Sequence, residues 1–185
     1  GLQMVRERVL LRARITSRTR RKARHYATID AGLVDGDGVV RGLGVVCGQS
    51  LVGVVAGEQA GRSLVQLVTD KLFLIPASLV LTDDAGKPIG EVLGVCAGTG
   101  QREALHLLFI EDQGGLVVKS GLEVVTAPGR EHVPPGLVLG IVDTATQEPH
   151  SDHWSISVRP LRSVDQVSTV LVLRGARIAG PADVV

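Results

Sequence analysis

The stretch EHVPPGLVLGIVD, residues 131–143, sets two prolines directly before a run of valine, leucine and isoleucine that a glycine interrupts. Pro134 and Pro135 fix φ and donate no hydrogen bond, so they belong in a connection or at the first residue of a strand. Gly136 then supplies a bend that a side chain would hinder. A looser form of the phrase, QSLVGVVAG, stands at residues 49–57. Each reads as the start of a strand in one of two related small β-barrels, and neither resembles a catalytic loop. Gly53 and Gly140 fall inside these strand patterns, where a barrel needs sharp coiling or a close approach of two backbones.

Working outward, the two halves share a grammar. Gly42-Leu43-Gly44-Val45-Val46 followed by Leu51-Val52-Gly53-Val54-Val55 matches Gly121-Leu122-Glu123-Val124-Val125 followed by Leu137-Val138-Leu139-Gly140-Ile141-Val142. Apolar runs over 45–47, 51–56 and 64–68 are bounded by Gly-containing turns at short intervals, the rhythm of a small barrel or sandwich. After an expected hairpin turn at 83–86 come ALHLLFI, LEVVTAPG, LVLGIVD, WSISVRP and VSTVLVL. Further upstream, 12–17 and 25–29 alternate well enough to form two strands joined by a basic turn.

Composition agrees with an all-β chain. Among 185 residues there are 29 valines and 23 glycines, while aromatics are only 2%. That balance favours short β-branched strands and tight turns. No apolar run approaches the roughly 18–20 residues needed to cross a bilayer, since LFLIPASLVL stops after ten positions. The piece itself is therefore expected to be soluble.

The opening GLQMVRERVLL places Leu2, Val5 and Val9 three and four apart, a helical stripe. About three turns are marginal alone, and no capping residue precedes Leu2, so residues 1–11 are expected to be the end of a longer dimeric coiled coil whose upstream part was cut away. The expected division is this helix, a first barrel over 12–78, a second over 79–176 with strand exchange between the two allowed, and a tail over 177–185.

The net charge of +1 conceals an asymmetry. Residues 1–24 hold nine Arg or Lys against one Glu, and the remainder eleven against eighteen acids. Such a basic segment is compatible with a nucleic-acid arm, a membrane-proximal stretch or a solvated helix end. With only Tyr26 beside it, it lacks a stacking surface, so nucleic acid is not expected as a partner. Cys47 and Cys96 lie in apolar strand patterns, as two buried small hydrophobes or as one bridge between barrels.

Searches for chemistry find little. DGDG at 35–38 begins like a calcium loop but has Val46 where the closing Glu belongs. HSDH at 150–153 offers two imidazoles and a carboxylate without a fourth ligand nearby. No metal, cofactor or nucleotide motif is expected. The rival reading is a two-barrel, trypsin-like serine protease or an inactive relative. It would need Ser50 or Ser120 with His25 and Asp70, but neither serine sits in a Gly-x-Ser-Gly loop.

The phrases ARITSR, ATIDAG, DGVVRGLGVV, LVGVV, SLVQLVTD, VKSGLEVVT, PPGLVLGIV and SVRPLRSVDQVSTVLVL, in that order, resemble the extracytoplasmic β-domain of the MreC family of rod-shape determinants, from about Ala13 to Leu173. The resemblance implies an inner-membrane protein with a short cytoplasmic start, one membrane helix, a dimerising coiled coil to which Leu2, Val5 and Val9 would belong, and two β-barrels in the periplasm. It implies a non-enzymatic scaffold of the elongation complex that self-associates and has a class B penicillin-binding transpeptidase, MreD, RodA and MreB as partners. Two stretches depart from the family pattern: GLVDGDGVV is two residues longer, and TDKLFLIPASLV replaces a polar turn.

Overall fold

The computed structural model describes residues 8–32, 39–59, 61–112, 116–147 and 152–174. Twelve strands account for most of them: β1 (Val9–Arg21), β2 (Arg24–Ile29), β3 (Gly44–Cys47), β4 (Ser50–Gln59), β5 (Arg62–Leu67), β6 (Leu74–Thr82), β7 (Pro88–Gly98), β8 (Leu105–Leu108), β9 (Glu123–Thr126), β10 (Val138–Gln147), β11 (Trp154–Pro160) and β12 (Thr169–Leu173). A single 3-10 turn, Val164–Gln166, precedes the last strand.

Hydrogen bonding closes these strands into two rings of six. One runs β4-β3-β12-β1-β2-β5 and is shut by β4–β5; the other runs β10-β9-β6-β7-β8-β11 and is shut by β10–β11. Read in this order the rings are the same object: β4 corresponds to β10, β3 to β9, β1 to β7, β2 to β8 and β5 to β11. In the first ring β12 fills the place that β6 holds in the second. Closure leaves no sheet edge running the length of either barrel.

The repeat extends to individual bonds. In the first ring Gly42 donates to Val55 O at 2.8 Å and Val55 to Leu43 O at 2.9 Å; in the second Gly121 donates to Val142 O at 2.9 Å and Val142 to Leu122 O at 2.8 Å. Gly42 and Gly121 carry φ of 96° and 93°, a left-handed conformation that only glycine adopts without strain.

The apolar runs that lack alternation have a physical cause. Val45, Val52 and Val55 fill the first barrel. Their neighbours Val46, Leu51 and Val54 join the core of the second, together with Leu79, Leu107, Leu139 and Val158. Strands β3 and β4 are thus wedged between two cores, and a strand buried on both faces must be apolar at every position. The rings also touch as a sheet, through a parallel pairing of Val138 with Ser50 and a 3.0 Å bond from Val138 N–H to Gln49 O.

Several expectations are corrected. The expected helix is not seen: residues 9–11 are extended, with Val9 paired to Leu173 and Leu11 to Val172, because the ladder to β12 satisfies their backbone where a lone helical turn could not. Leu2 and Val5 lie outside the described residues. The expected division at 78/79 falls inside β6, all of whose pairings are with β7 and β9. Strand β12, expected within the second barrel with exchange allowed, is such an exchanged strand: it pairs with β1 and β3.

At Gly53 a Cβ would lie 2.3 Å from Gln66 O, and at Gly140 2.2 Å from Arg159 O, both immovable backbone atoms. Gly53→Ala and Gly140→Ala should each cost about 2–3 kcal/mol or more through overpacking. Gly57→Ala, in the same strand as Gly53 but with open space around it, should change stability by less than about 0.5 kcal/mol. Urea unfolding of the three variants checks this; equal cost at all three positions would refute it.

Candidate docking surface and the buried Asp70 centre

The most polar interior position is Asp70, whose carboxylate is fully buried in the connection between β5 and β6. Its oxygens accept from Arg24 Nε (2.9 and 3.2 Å), Gln66 Nε2 (2.9 Å) and the backbone N–H groups of His25 (2.7 Å) and Leu72 (2.9 Å). Burial pushes the Asp70 pKa up, but the hydrogen bonds from Gln66, Leu72, His25 and Arg24 outweigh it and hold the carboxyl below its ordinary range. The neighbouring His25 is held neutral, its pKa lowered by burial and then by the Arg20 charge.

This centre joins the rings. Lys71 N–H bonds to Ala23 O at 3.1 Å, Gly100 N–H to Thr69 O at 2.9 Å and Gly98 N–H to Phe73 O at 3.0 Å. A Cβ on Gly98 would sit 2.0 Å from Asp70 O, so the second barrel's β7 lies directly against the connection. The β1–β2 turn reaches it through Lys22 and Ala23, which take φ of 48° and 64°.

The arrangement does not form the triad of the rival reading. Asp70 binds the backbone N–H of His25, while the ring Nδ1 meets Thr69 Oγ1 at 2.9 Å. Ser50 is buried in β4, and Ser120 Oγ donates to Val142 O at 3.3 Å. The two serines therefore stand on the β4 and β9–β10 side of the fold, and neither His25 nor Asp70 is recruited to them.

The basic segment is likewise structural. Arg18 Nε donates to Val164 O at 3.0 Å and its Nη2 to Val167 O, Arg20 pairs with Asp165 at 2.6 Å, and Arg14 pairs with Asp30 at 2.9 Å. Arginines read as an arm are thus strand residues, two of which pin the turn leading into β12. Their acceptors lie up to 149 positions away in sequence, beyond what local pattern can reveal.

Of the glycines and prolines singled out in the sequence, Gly53 and Gly140 occupy β4 and β10, and Pro134 and Pro135 precede β10. Gly136, at φ 84°, donates to Thr126 O at 2.8 Å. The buried Thr126 hydroxyl donates to Pro134 O at 2.8 Å and accepts from Leu137 N–H at 3.0 Å, meeting backbone groups that the prolines leave without a ladder. Cys47 and Cys96 are both free thiols, and burial drives Cys96 up to about 12. The DGDG segment lies outside the described residues, as do His150 and Ser151 of HSDH; among the described residues no group of three or more His, Cys, Asp or Glu could hold a metal.

What remains unexplained by folding is an exposed apolar arm on the second barrel. Strand β7 pairs with β6 over its length, from Pro88 to Ala97, but with β8 only over Val95–Gly98. The β6–β7 hairpin therefore projects past the ring. Ile89 and Leu93, two turns of the pleat apart, are 66% and 67% exposed, and Phe109, just beyond β8, is 68% exposed. Two shallow hollows flank the arm. One is lined by Leu81, Ile89, Leu116, Val117 and Leu122; the other by Glu91, Val92, Leu93, Phe109 and Glu111. Apolar groups gathered on one exposed element, framed by charges, mark an interaction surface. Sequence reading had no means of finding it, because exposed and buried leucines look alike until the strand ends are known.

A family model described as rod shape-determining protein MreC, barrel core, matches residues 15–174. No curated protein sequence matches. Among solved structures, an MreC from Listeria monocytogenes superposes with a TM-score of 0.73 at 22% identity, over 94% of this chain and 79% of that one. The major periplasmic domain of the cell shape-determining filament MreC gives 0.69 at 15% identity, over 90% and 95%. A complex between penicillin-binding protein PBP2 and MreC from Helicobacter pylori contributes a chain similar at 0.61 and 14% identity, over 88% and 95%. At these identities the likeness is one of fold.

Both centre residues titrate below their ordinary values, so both contribute stability that acid removes. Loss should begin as pH falls below about 6.5, when the unfolded His25 takes up a proton that the folded state resists, and deepen below about 3.8 as the Asp70 advantage goes. Asp70→Asn should flatten the lower limb and, by breaking a buried ionic centre, cost at least about 2 kcal/mol at pH 7. Thermal melts across pH 3–8 check it; unchanged acid sensitivity in Asp70→Asn would contradict the assignment.

Proposed function

The chain belongs to the MreC family of rod shape-determining proteins, and on that premise we propose that it is an extracytoplasmic scaffold that holds a penicillin-binding protein of the cell-wall elongation machinery against its second barrel. The single observation that carries the reading is the projecting β6–β7 arm, which exposes Ile89 and Leu93 beside Phe109 although the rings have closed without them. A fold whose polar centre is consumed in joining two barrels, and whose most exposed large apolar side chains among the described residues, Ile89, Leu93 and Phe109, gather at a projection, is suited to being gripped.

Support for the class of partner comes from the family and from the solved complex of a related chain with PBP2. The finer assembly follows the same proposal: membrane attachment through an upstream helix, dimerisation through a coiled coil that would include Leu2 and Val5, and association with MreD, RodA and MreB. Val9 stands outside that coiled coil, as a paired strand position packed beside Leu173.

Binding of the extracytoplasmic part of the cognate class B penicillin-binding protein to this chain, immobilised, tests the proposal. Leu93→Glu and Phe109→Asn should each weaken binding about tenfold or more, as expected of central apolar anchors. Asparagine suits the φ of 62° at position 109, so the fold is spared. Leu64→Glu, exposed on β5 of the first ring, should have no effect. Absence of binding at tens of micromolar, or equal loss in all three variants, would overturn it.

A further inference from the structure

The arm carries a second feature that side-chain exposure alone does not describe. Strands β7 and β8 run together only as far as Val95 and Leu108. There they part: Gly94 lies where a Cβ would meet Leu108 O at 2.6 Å, and Phe109 turns the chain with φ 62°. Beyond the turn the chain keeps to β11, with Trp154 N–H bonded to Ile110 O at 3.0 Å and Glu111 bridged to His153. Among the described residues, no strand pairs with the outer side of β7 from Pro88 to Leu93. The result is a forked opening with a bare strand edge on one side and Phe109 and Glu111 on the other.

We propose that this edge of β7 takes up an extended segment of a partner protein as an added strand, a segment that carries a basic residue between two apolar ones along one face, at positions i, i+2 and i+4. Six residues of open edge span about 20 Å and present a row of backbone donors and acceptors of the kind a strand can complete. Leu93 and Phe109 supply apolar footing for alternate side chains of the added strand. Glu91, two residues from Leu93 and therefore on the same face of β7, lines the same hollow as Glu111; together they favour lysine or arginine two positions along that face from the apolar side chain.

The charges also choose between occupants. Two copies of this chain pairing antiparallel over the same edge would bring their Glu91 carboxylates within a residue of each other on neighbouring strands, and like charges so placed are destabilising. The acid at the centre therefore disfavours self-pairing and admits a basic strand. Pro88 limits the edge at its far end, since it has no N–H to offer.

The inference rests on the scaffold reading and adds how the partner is held, so its test separates the two. The probe is an acetylated and amidated octapeptide with Leu, Lys and Leu at positions 3, 5 and 7, which share one face, and Thr elsewhere, compared with the same peptide N-methylated at alternate residues. The methylated form keeps every side chain and loses one hydrogen-bonding edge. With the whole chain, hydrogen exchange should show the amides of residues 89–93 that face the open edge protected at least about tenfold by the first peptide and not by the second. Glu91→Lys should abolish the protection. Protection by both peptides, or at residues outside 89–93, or by neither, would overturn the added strand. If the penicillin-binding protein is nevertheless retained and lost on Leu93→Glu, the scaffold reading stands without this inference; if it is not retained at all, that reading fails separately.

Discussion

Everything in this fold depends on backbones being allowed to touch. At Gly53 and again at Gly140 a strand passes so near the carbonyl of its hairpin neighbour, Gln66 and Arg159 respectively, that no Cβ fits between them. The approach lets β4 coil onto β5 and β10 onto β11, which are the pairings that shut the two rings. Where a six-stranded barrel is this small, the strands must coil sharply, and glycine is the residue that permits it.

From that constraint the rest follows in order. Two rings closed in the same way give the same bonds at Gly42 and Gly121, and laying one ring on the other buries β3 and β4 on both faces. The price is a junction full of backbone groups with no ladder to join. Asp70 answers for those, taking donors from β2, from β5 and from its own connection. A buried carboxylate with so many partners looks like a catalytic group until its partners are named. Here they are an arginine, a glutamine and main-chain amides, and the imidazole beside it looks elsewhere.

Much of the fold was legible in sequence, and the reason is local. Short valine-rich runs between glycine turns announced the strands, and the repeat of residues 42–55 in residues 121–142 announced a doubled architecture before any pairing was known. What could not be read was non-local. Leu2, Val5 and Val9 have helical spacing, yet Val9 is claimed by Leu173 from the far end of the chain. The last strand gives no sign of which ring it completes, because its alternation suits either. Arg18 and Arg20 read as part of a basic arm since their partners, around Asp165, lie on a turn that only the return of β12 brings near. The docking arm was hidden for a related reason: Leu93 sits in a strand pattern no different from that of Leu79, and only the early departure of β8 leaves one in water and the other at the core.

The molecule thus separates two duties. Its interior joins two barrels through Asp70 and the doubly buried strands, and the projecting β6–β7 hairpin is the surface proposed to meet other proteins. Methyl-labelled NMR of this chain, titrated with the extracytoplasmic part of the proposed penicillin-binding partner, tests that division most directly. The account predicts that the methyl groups of Ile89, Val92 and Leu93 shift or broaden first while those of β1 and β2 stay in place. Changes centred on β1 and β2, with the β7 methyls unmoved, would contradict it.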